Sequence, residues 1–463
     1  MPGSRNQGII LFILSGFFLL LIISFYQYYK VRYTNLYSND RCIGCNIILI
    51  SVDSLRPDHL GIYGYFRNTS PNIDRFAEEA IIFKNAFAQS YWTLPCHASI
   101  FTSRYPSVHG AIDKSRRLDR SEITLAEVLR DNGYRTLAFT GGGYVSSVFG
   151  LSQGFDIFIE DDPSLTGNIK SALKWIELNK DKKFFIFLHG YEVHSLPMVP
   201  RQFLSRYVDP KYNGVAKSFN LDWSGDLHNI YNYTYSLNNM SFLLNKSDIE
   251  YIIDCYDGGV NYIDYNIGEL IDELKKLNLD KKTIVIITSD HGQALMEHGY
   301  IGAHQDIYDE VIHVPLIIKI PNLSFKRVIE NQVRSIDIMP TILDLVGLNI
   351  PNTVQGKSLL PLIRGDINLS FPVFSEKEDA IAIRMDGFKY IWRASGKHEL
   401  YNLTSDPKEQ INIIDKYPNL GKIFQNEIER FIKTNKSNAL NNSKISEEEV
   451  KKIESRLKEL GYT

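Results

Sequence analysis

Asp53, His189, His194, Asp290 and His291 offer carboxylate and imidazole donors, and each sits at or just beyond the end of a short apolar run. Asp53 closes NIILISVD, His189 and His194 follow FFIFL, and Asp290 and His291 lie at the end of TIVIITSDHG. A single aspartate after a strand is usually a turn former or a helix cap. Three such ends arriving together weaken that reading, because the Ser-Asp-His-Gly segment puts two donor types side by side and burying them without partners is costly. One divalent cation would satisfy the set. Mixed oxygen and imidazole donors favour zinc or manganese, whereas an all-oxygen set would suit calcium, which stays possible. A further stretch, SYWTLPCHASIFTSRYP, gathers hydroxyl, thiol and imidazole groups, among them Thr93, Cys96 and His97, in what reads as a turn-rich segment.

The elements that must position these groups are readable from periodicity. NIILISVD, RTLAFTGG, FFIFLHG, TIVIITSDHG and VPLIIKIP are short, β-branched or aromatic, and bounded by turn residues, the pattern of buried strands. SPNIDRFAEEA, TLAEVLRDNG, KSALKWIELN and VNYIDYNIGELIDELKKL read as helices. Their alternation implies an α/β fold with a mostly parallel sheet flanked by helices on both faces. Such sheets bind ligands outside the carboxyl ends of their strands, which is where the donors lie. After about Phe371 the pattern changes to short strands, AIAIR, FKYIW and HELYN, expected to form a smaller antiparallel sheet with a terminal helix. Val208 to Asp248 is rich in Asn, Tyr and Ser and reads as an inserted loop near the site mouth, where loops set specificity.

The chain of 463 residues is 44% apolar and 23% charged, ordinary for a large folded protein. Its formal charge of -3 supplies no basic excess for a nucleic-acid partner. Gly8 to Tyr29 is an uncharged, mostly apolar run long enough to cross a bilayer. No alanine precedes Ala77, so a small-residue cleavage site of the usual kind is missing and the run reads as an uncleaved single-pass anchor. The four cysteines are too few for a disulfide framework: Cys42 and Cys45 read as part of a plain linker, and Cys255 as a buried small residue in a helix.

The segments NIILISVDSLRPDHLGIYGY, TLPCHASIFTSRYPSVHG, TIVIITSDHGQALMEHG with YDEVIHVPLIIKIP after it, DIMPTILDLVG, and GFKYIWRASGKHELYNLTSDPKEQIN resemble, in order, the motifs of the sulfatase branch of the alkaline phosphatase superfamily. The resemblance runs from about Asn46 to the closing LKELGYT, where Ser446 and Glu449 form a capping-box pattern. It implies an alkaline phosphatase-like fold and a metal held by Asp53, Asp290, His291 and Thr93. Thr93 falls at the family's nucleophile position. Members with cysteine or serine there are matured to formylglycine, which threonine cannot become. His97 stands in place of the motif arginine and Cys96 in place of a serine, with packing the favoured role for Cys96. Ser54 replaces a second aspartate, which thins the ligand set, and Asp58 reads as structural. The resemblance makes His194 and His304 catalytic contacts and His97 and His189 substrate-binding candidates, although His189 reads equally as a buried hydrogen-bonding residue. It assigns no role to Arg56 or His109. Where well-known sulfatases carry Lys-x-His, this chain has GGGYVSSVFG.

The expected organisation is an anchor over 1–33, a catalytic α/β domain over 34–370 and a C-terminal subdomain over 371–463. The expected function is that of a membrane-anchored, metal-dependent hydrolase of sulfuric or phosphoric esters, leaning to phosphate because of Thr93 and the missing Lys-x-His. A phosphotransferase acting on a lipid-headgroup phosphoryl unit, and a non-catalytic anion binder, are the alternatives. The substrate is expected to be lipid- or glycan-linked. The family analogy sets the catalytic body outside the cytoplasm.

Overall fold

The computed structural model describes Ser24 and residues 41–194, 199–218, 244–302, 306–321, 323, 325–438, 443–446, 448–449 and 457. The expected membrane span, His304 and most of both the inserted segment and the closing helix lie outside the described residues. Among the described residues, no helix is long and apolar enough to cross a membrane.

Eight strands form the central sheet: β1 (Asn46–Val52), β2 (Ile81–Phe87), β3 (Arg135–Phe139), β4 (Ile157–Ile159), β5 (Phe184–Gly190), β6 (Thr283–Thr288), β7 (His313–Lys319) and β8 (Arg327–Arg334), in the order β8-β2-β7-β6-β1-β5-β3-β4. Only β7 runs antiparallel to its neighbours, so the sheet is mostly parallel. Every residue of β1 is buried. Ile47 and Leu49 point into one core, and Ile48, Ile50 and Val52 into the other, which is why the strand reads as an unbroken apolar run.

One core holds helices α1 (Pro71–Ala77), α4 (Leu165–Leu178) and α5 (Lys246–Lys276), and the other holds α2 (Thr93–Thr102), α3 (Leu125–Asp131) and α6 (Ile338–Leu345). Helix α3 opens with a complete capping box between Thr124 and Glu127. Helix α5 begins inside the expected loop: Asn245 caps it and exchanges hydrogen bonds with Asp248, so Asp248 belongs to the helix. The segment around Thr93, expected to be turn-rich, is instead the fully buried helix α2. A second sheet, β9 (Val373–Lys377), β10 (Ala380–Met385), β11 (Phe388–Arg393) and β12 (Glu399–Asn402), is antiparallel and packs against α7 (Pro418–Asn438). The Ser446–Glu449 capping pair forms in both directions.

Cys42 and Cys45 are joined in a disulfide, which corrects their reading as a plain linker; Cys42 N also donates to Leu345 O at 2.7 Å, tying the approach to β1 to the end of α6. Cys96 and Cys255 are free and buried, and burial pushes both thiols upward. The native chain should therefore resist a thiol-specific reagent. Unfolding without reductant should expose these two thiols alone, and a reaction of all four would show that the Cys42–Cys45 bond is absent.

Candidate metal centre

Parallel register brings the donors level. Ser51 pairs with His189 on β5 and with Thr288 on β6, so the chain leaves three adjacent strands at one height. Asp53, Asp290 and His291 emerge there, all fully buried, with donor atoms within 4.8 Å of one another. His291 Nε2 lies 3.4 Å from Asp290 Oδ2 and 3.8 Å from Asp53 Oδ1. The first turn of α2 adds Thr93, whose Oγ1 is 3.2 Å from Asp53 Oδ2 and 3.3 Å from His291 Nε2.

The charge arrangement is that of a cation site. Among the described residues, the only basic side chains paired with either carboxylate are histidines: His189 and His291 on Asp53, His97 and His291 on Asp290. Burial pushes the Asp53 carboxyl up, but His194, His189 and His291 outweigh it and hold Asp53 well below the carboxylate range. Burial, then the negative charge of Asp53, pushes Asp290 the other way. Two buried acids within 4.8 Å of each other cannot both ionise comfortably without added positive charge. Asp290 Oδ2 is buried without a hydrogen-bond partner. His291 Nδ1 donates to Gly292 O at 2.8 Å, which fixes the tautomer and turns the Nε2 lone pair toward the carboxylates. Orphaned oxygen, oriented imidazole and paired carboxylates all fit a divalent metal.

Of the supporting residues, Ser54, Arg56 and Asp58 stand at motif positions without a role that the sequence assigns, and Tyr256, Ser289 and Glu297 had no signal there. Ser54 adopts a left-handed φ of 63°, a conformation that costs a non-glycine residue energy and is overdetermined by its contacts. Its Oγ donates to Asp53 Oδ1 at 2.8 Å, its N to Asp290 Oδ1 at 3.3 Å, and its carbonyl accepts from Tyr256 OH on α5 at 2.8 Å. Arg56 is buried and joins the two ligand loops: it makes paired bonds to Asp58, donates to Gln293 O at 2.8 Å and pairs with Glu297 at 2.7 Å. Ser289 accepts from Leu55 N at 3.0 Å across the same gap. Apart from Ser54 with Asp53 and Arg56 with Asp58, these partners are separated by about two hundred residues or more in sequence, so no local pattern announces them.

The histidines divide. His97 Nδ1 donates to Thr93 O at 2.9 Å and Nε2 faces Ser51 Oγ at 3.1 Å, so both nitrogens meet protein atoms. His189 is fully buried with neither nitrogen hydrogen-bonded, its Nε2 lying 3.6 Å from Asp53 Oδ2. His194 is half-buried and acts on Asp53 through its charge. His109 Nε2 meets Ser99 Oγ at 3.1 Å and its Nδ1 accepts from Ala111 N, fastening α2 to the turn that follows. Cys96 turns its thiol to the backbone of Ser90 and Trp92.

Residues 45–348 match the family model described as Sulfatase, and residues 296–437 match N-sulphoglucosamine sulphohydrolase, C-terminal. The chain belongs to the sulfatase family. Family members are metal-dependent, and the homologues are ester hydrolases, as is this chain. A sulfatase of Formosa agariphila is 26% identical over 442 residues, covering 82% of this chain and 84% of the relative. Human arylsulfatase K is 26% identical over 403 residues, covering 76% and 75%. Among solved structures, a protein in complex with its substrate D-glucosamine-2-N,6-O-disulfate superposes with a TM-score of 0.71 at 22% identity, over 85% of this chain and 98% of that one. The phosphonate monoester hydrolase of Agrobacterium radiobacter gives 0.69 at 19%, over 84% and 96%. At these identities the two structures share the fold with this sulfatase-family chain.

Replacing Arg56 by alanine strands Glu297 and should lower stability by about 3 kcal/mol, measured by denaturant unfolding. Glu192, between His189 and His194 in the chain, accepts from Leu165 N at the start of α4, and burial pushes its carboxyl up to about 7. The native state then holds a proton that the unfolded chain releases, so its stability contribution is full below the ordinary glutamate range and is lost as pH rises toward 7. Glu192→Gln should therefore raise Tm relative to the parent more at pH 8 than at pH 4.5, with equal effects at both pH values contradicting the assignment.

Proposed function

We propose that this sulfatase-family enzyme is a metal-dependent phosphoesterase in which Thr93 is the nucleophile. The observation that carries the reading is the Thr93 hydroxyl, held against both Asp53 and His291 at the amino terminus of α2. Asp53, Asp290 and His291 would hold a dication, which would lower the pKa of a neighbouring hydroxyl and screen the oxygens of an anionic ester. Asp53 is positioned to accept the hydroxyl proton of Thr93, and the α2 dipole favours negative charge at its first residue. His194 is assigned to the transferred group, and His304 to the same anion through its motif position. His97 locks α2 onto β1. Cys96 is set aside as nucleophile, since its thiol faces backbone and burial keeps it protonated.

The covalent step forms a bond from Thr93 Oγ1 to phosphorus as the bond to the ester oxygen breaks, and the leaving alcohol takes up a proton. Water then attacks phosphorus, the Thr93 bond breaks and the hydroxyl is restored. An acceptor alcohol in place of water would give a transferase. Because threonine cannot become formylglycine, no maturation step is required. The names of the relatives, arylsulfatase and sulphohydrolase, favour sulfate esters as a second reading. Thr93 and the absence of Lys-x-His favour phosphate. The membrane anchor and a catalytic body outside the cytoplasm are part of the proposal; a disulfide of the Cys42–Cys45 kind persists in oxidising compartments and supports the latter.

Thr93→Ala should retain metal and lose at least about a thousandfold in turnover. Paired aryl phosphate and aryl sulfate substrates, assayed under one set of conditions, should favour the phosphate. Unchanged turnover would remove Thr93 from the reaction, and preference for the sulfate would select the second reading.

A further inference from the structure

Beyond the ligand pair the chain runs through Ala294 and Leu295, turns, and returns at Ile301 and Gly302. Met296 takes a left-handed φ of 81° in that turn, a conformation that costs a non-glycine residue energy and persists only where its surroundings hold it. Glu297 supplies one side of the hold, through Arg56. His298 supplies the other, and the metal reading gives it no role. Its Nδ1 lies 2.6 Å from Glu310 Oε1, its Nε2 lies 3.1 Å from Glu409 O, and its ring stacks on that of Tyr308 at 3.7 Å.

Those two partners fix the protonation of the ring. A main-chain carbonyl only accepts, an ionised carboxylate only accepts, and a neutral imidazole carries a single N–H. The two hydrogen bonds together need one proton more than a neutral ring and an ionised Glu310 supply. The charges around His298 retain it: Glu310 faces Nδ1, Glu409 lies on the other side, and Lys389 stands behind Glu409, between it and Asp309. Gln410 brings a neutral amide to 3.4 Å from Nε2. Burial pushes the ring down, but Glu310 and Glu409 outweigh it and raise His298 above the ordinary histidine value.

We propose that His298 is a positioning residue, a charged latch that fastens the C-terminal lobe to the backbone of the Asp290–His291 loop. The chain of contacts is continuous. Glu310, whose carboxylate meets the His298 ring, gives its own carbonyl to Gln293 N at 2.9 Å, and the next carbonyl, Val311 O, accepts from Gly292 N at 2.6 Å. Gly292 O in turn accepts from His291 Nδ1. Loss of the extra proton turns a ring lone pair onto one of the two acceptors, frees either Glu310 or Glu409, and loosens the backbone that aims His291. Because the folded-state value is raised, the latch is fully closed below the ordinary histidine value of about 6.5 and opens as pH rises through the raised one. The effect on turnover rests on the proposed function; the latch itself does not.

Amide hydrogen exchange of the full-length chain, read at the Gly292 and Gln293 N–H groups, tests the latch without reference to metal or turnover. Protection there, corrected for the intrinsic pH dependence of exchange, should fall about tenfold in the parent between pH 6 and pH 9, the worth of one hydrogen bond to a charged group, while the amides of β1 keep theirs. His298→Gln, which cannot carry the extra proton, should show the lowered protection at both pH values. Glu310→Gln removes the charge that retains the proton and should move the midpoint to lower pH. In the parent, kcat/KM on an aryl phosphate should fall with the same midpoint as the protection. Parent-like protection of Gly292 and Gln293 in His298→Gln at pH 6, or an unshifted midpoint in Glu310→Gln, would overturn the proposal. Protection that follows the latch in a chain that neither binds Mn2+ nor turns over the phosphate would uphold the latch and sink the proposed function alone.

Discussion

Two buried carboxylates within 4.8 Å of each other, with histidines as their only paired basic side chains among the described residues, are the constraint from which the rest of the site follows. Asp53 and Asp290 repel, and the protein lets them meet because β1 and β6 are neighbours in parallel register. The surrounding chain is fitted to that meeting. Ser54 takes a left-handed turn so that its hydroxyl reaches one acid and its N–H the other. Arg56 and Ser289 join the loops that carry the acids, and Tyr256 fastens the first loop to α5. Such an arrangement is unfavourable without a counter-charge, which is why metal binding and the integrity of this sheet edge are one problem.

The donors that meet at the sheet edge, Asp53, His189, Asp290 and His291, were legible because they close strands, whereas Thr93 opens a helix and was singled out by the family resemblance. Three of the five apolar runs ended in a group that does not belong in a core, and the rule that ligands bind at carboxyl strand ends gathered them. Two of the three central strands missed by periodicity are explained by their composition, and the third, Ile157–Ile159, is only three residues long. Ile81–Phe87 carries Lys84 and Asn85 half-buried in its middle, and Arg327–Arg334 is an edge strand with charges along its length. The helix at Thr93 was misread because prolines and small polar residues look like a turn. It forms because Pro95 lies in the first turn, where its missing N–H costs nothing, and because His97 clamps the turn to β1. Arg56, Ser289 and Tyr256 were illegible as buttresses, since their meaning exists only across more than two hundred residues of sequence.

The second sheet has a share in the same site. Lys389 on β11 is fully buried between Asp309 and Glu409, and Arg384 on β10 adds a second cation to Asp309. The segment so held supplies Val311 O and Glu310 O, which accept from Gly292 N and Gln293 N directly after the ligand pair. The C-terminal lobe therefore buttresses the backbone of the Asp290–His291 loop from behind. A buried lysine between two acids adds little net stability, but its loss leaves both carboxylates buried without their counter-charge. That use suits a loop whose donors must be held to a fraction of an ångström.

The account stands on the convergence of Asp53, Thr93, Asp290 and His291 around a common cation. Anomalous diffraction from crystals grown with Mn2+, collected at the manganese edge, tests this most directly. The account requires a peak within coordinating distance of all four side chains, about 2.0–2.4 Å from the carboxylate and imidazole donors. No peak at that position in crystals saturated with metal, or a peak bound by other residues while Thr93 faces away, would contradict it.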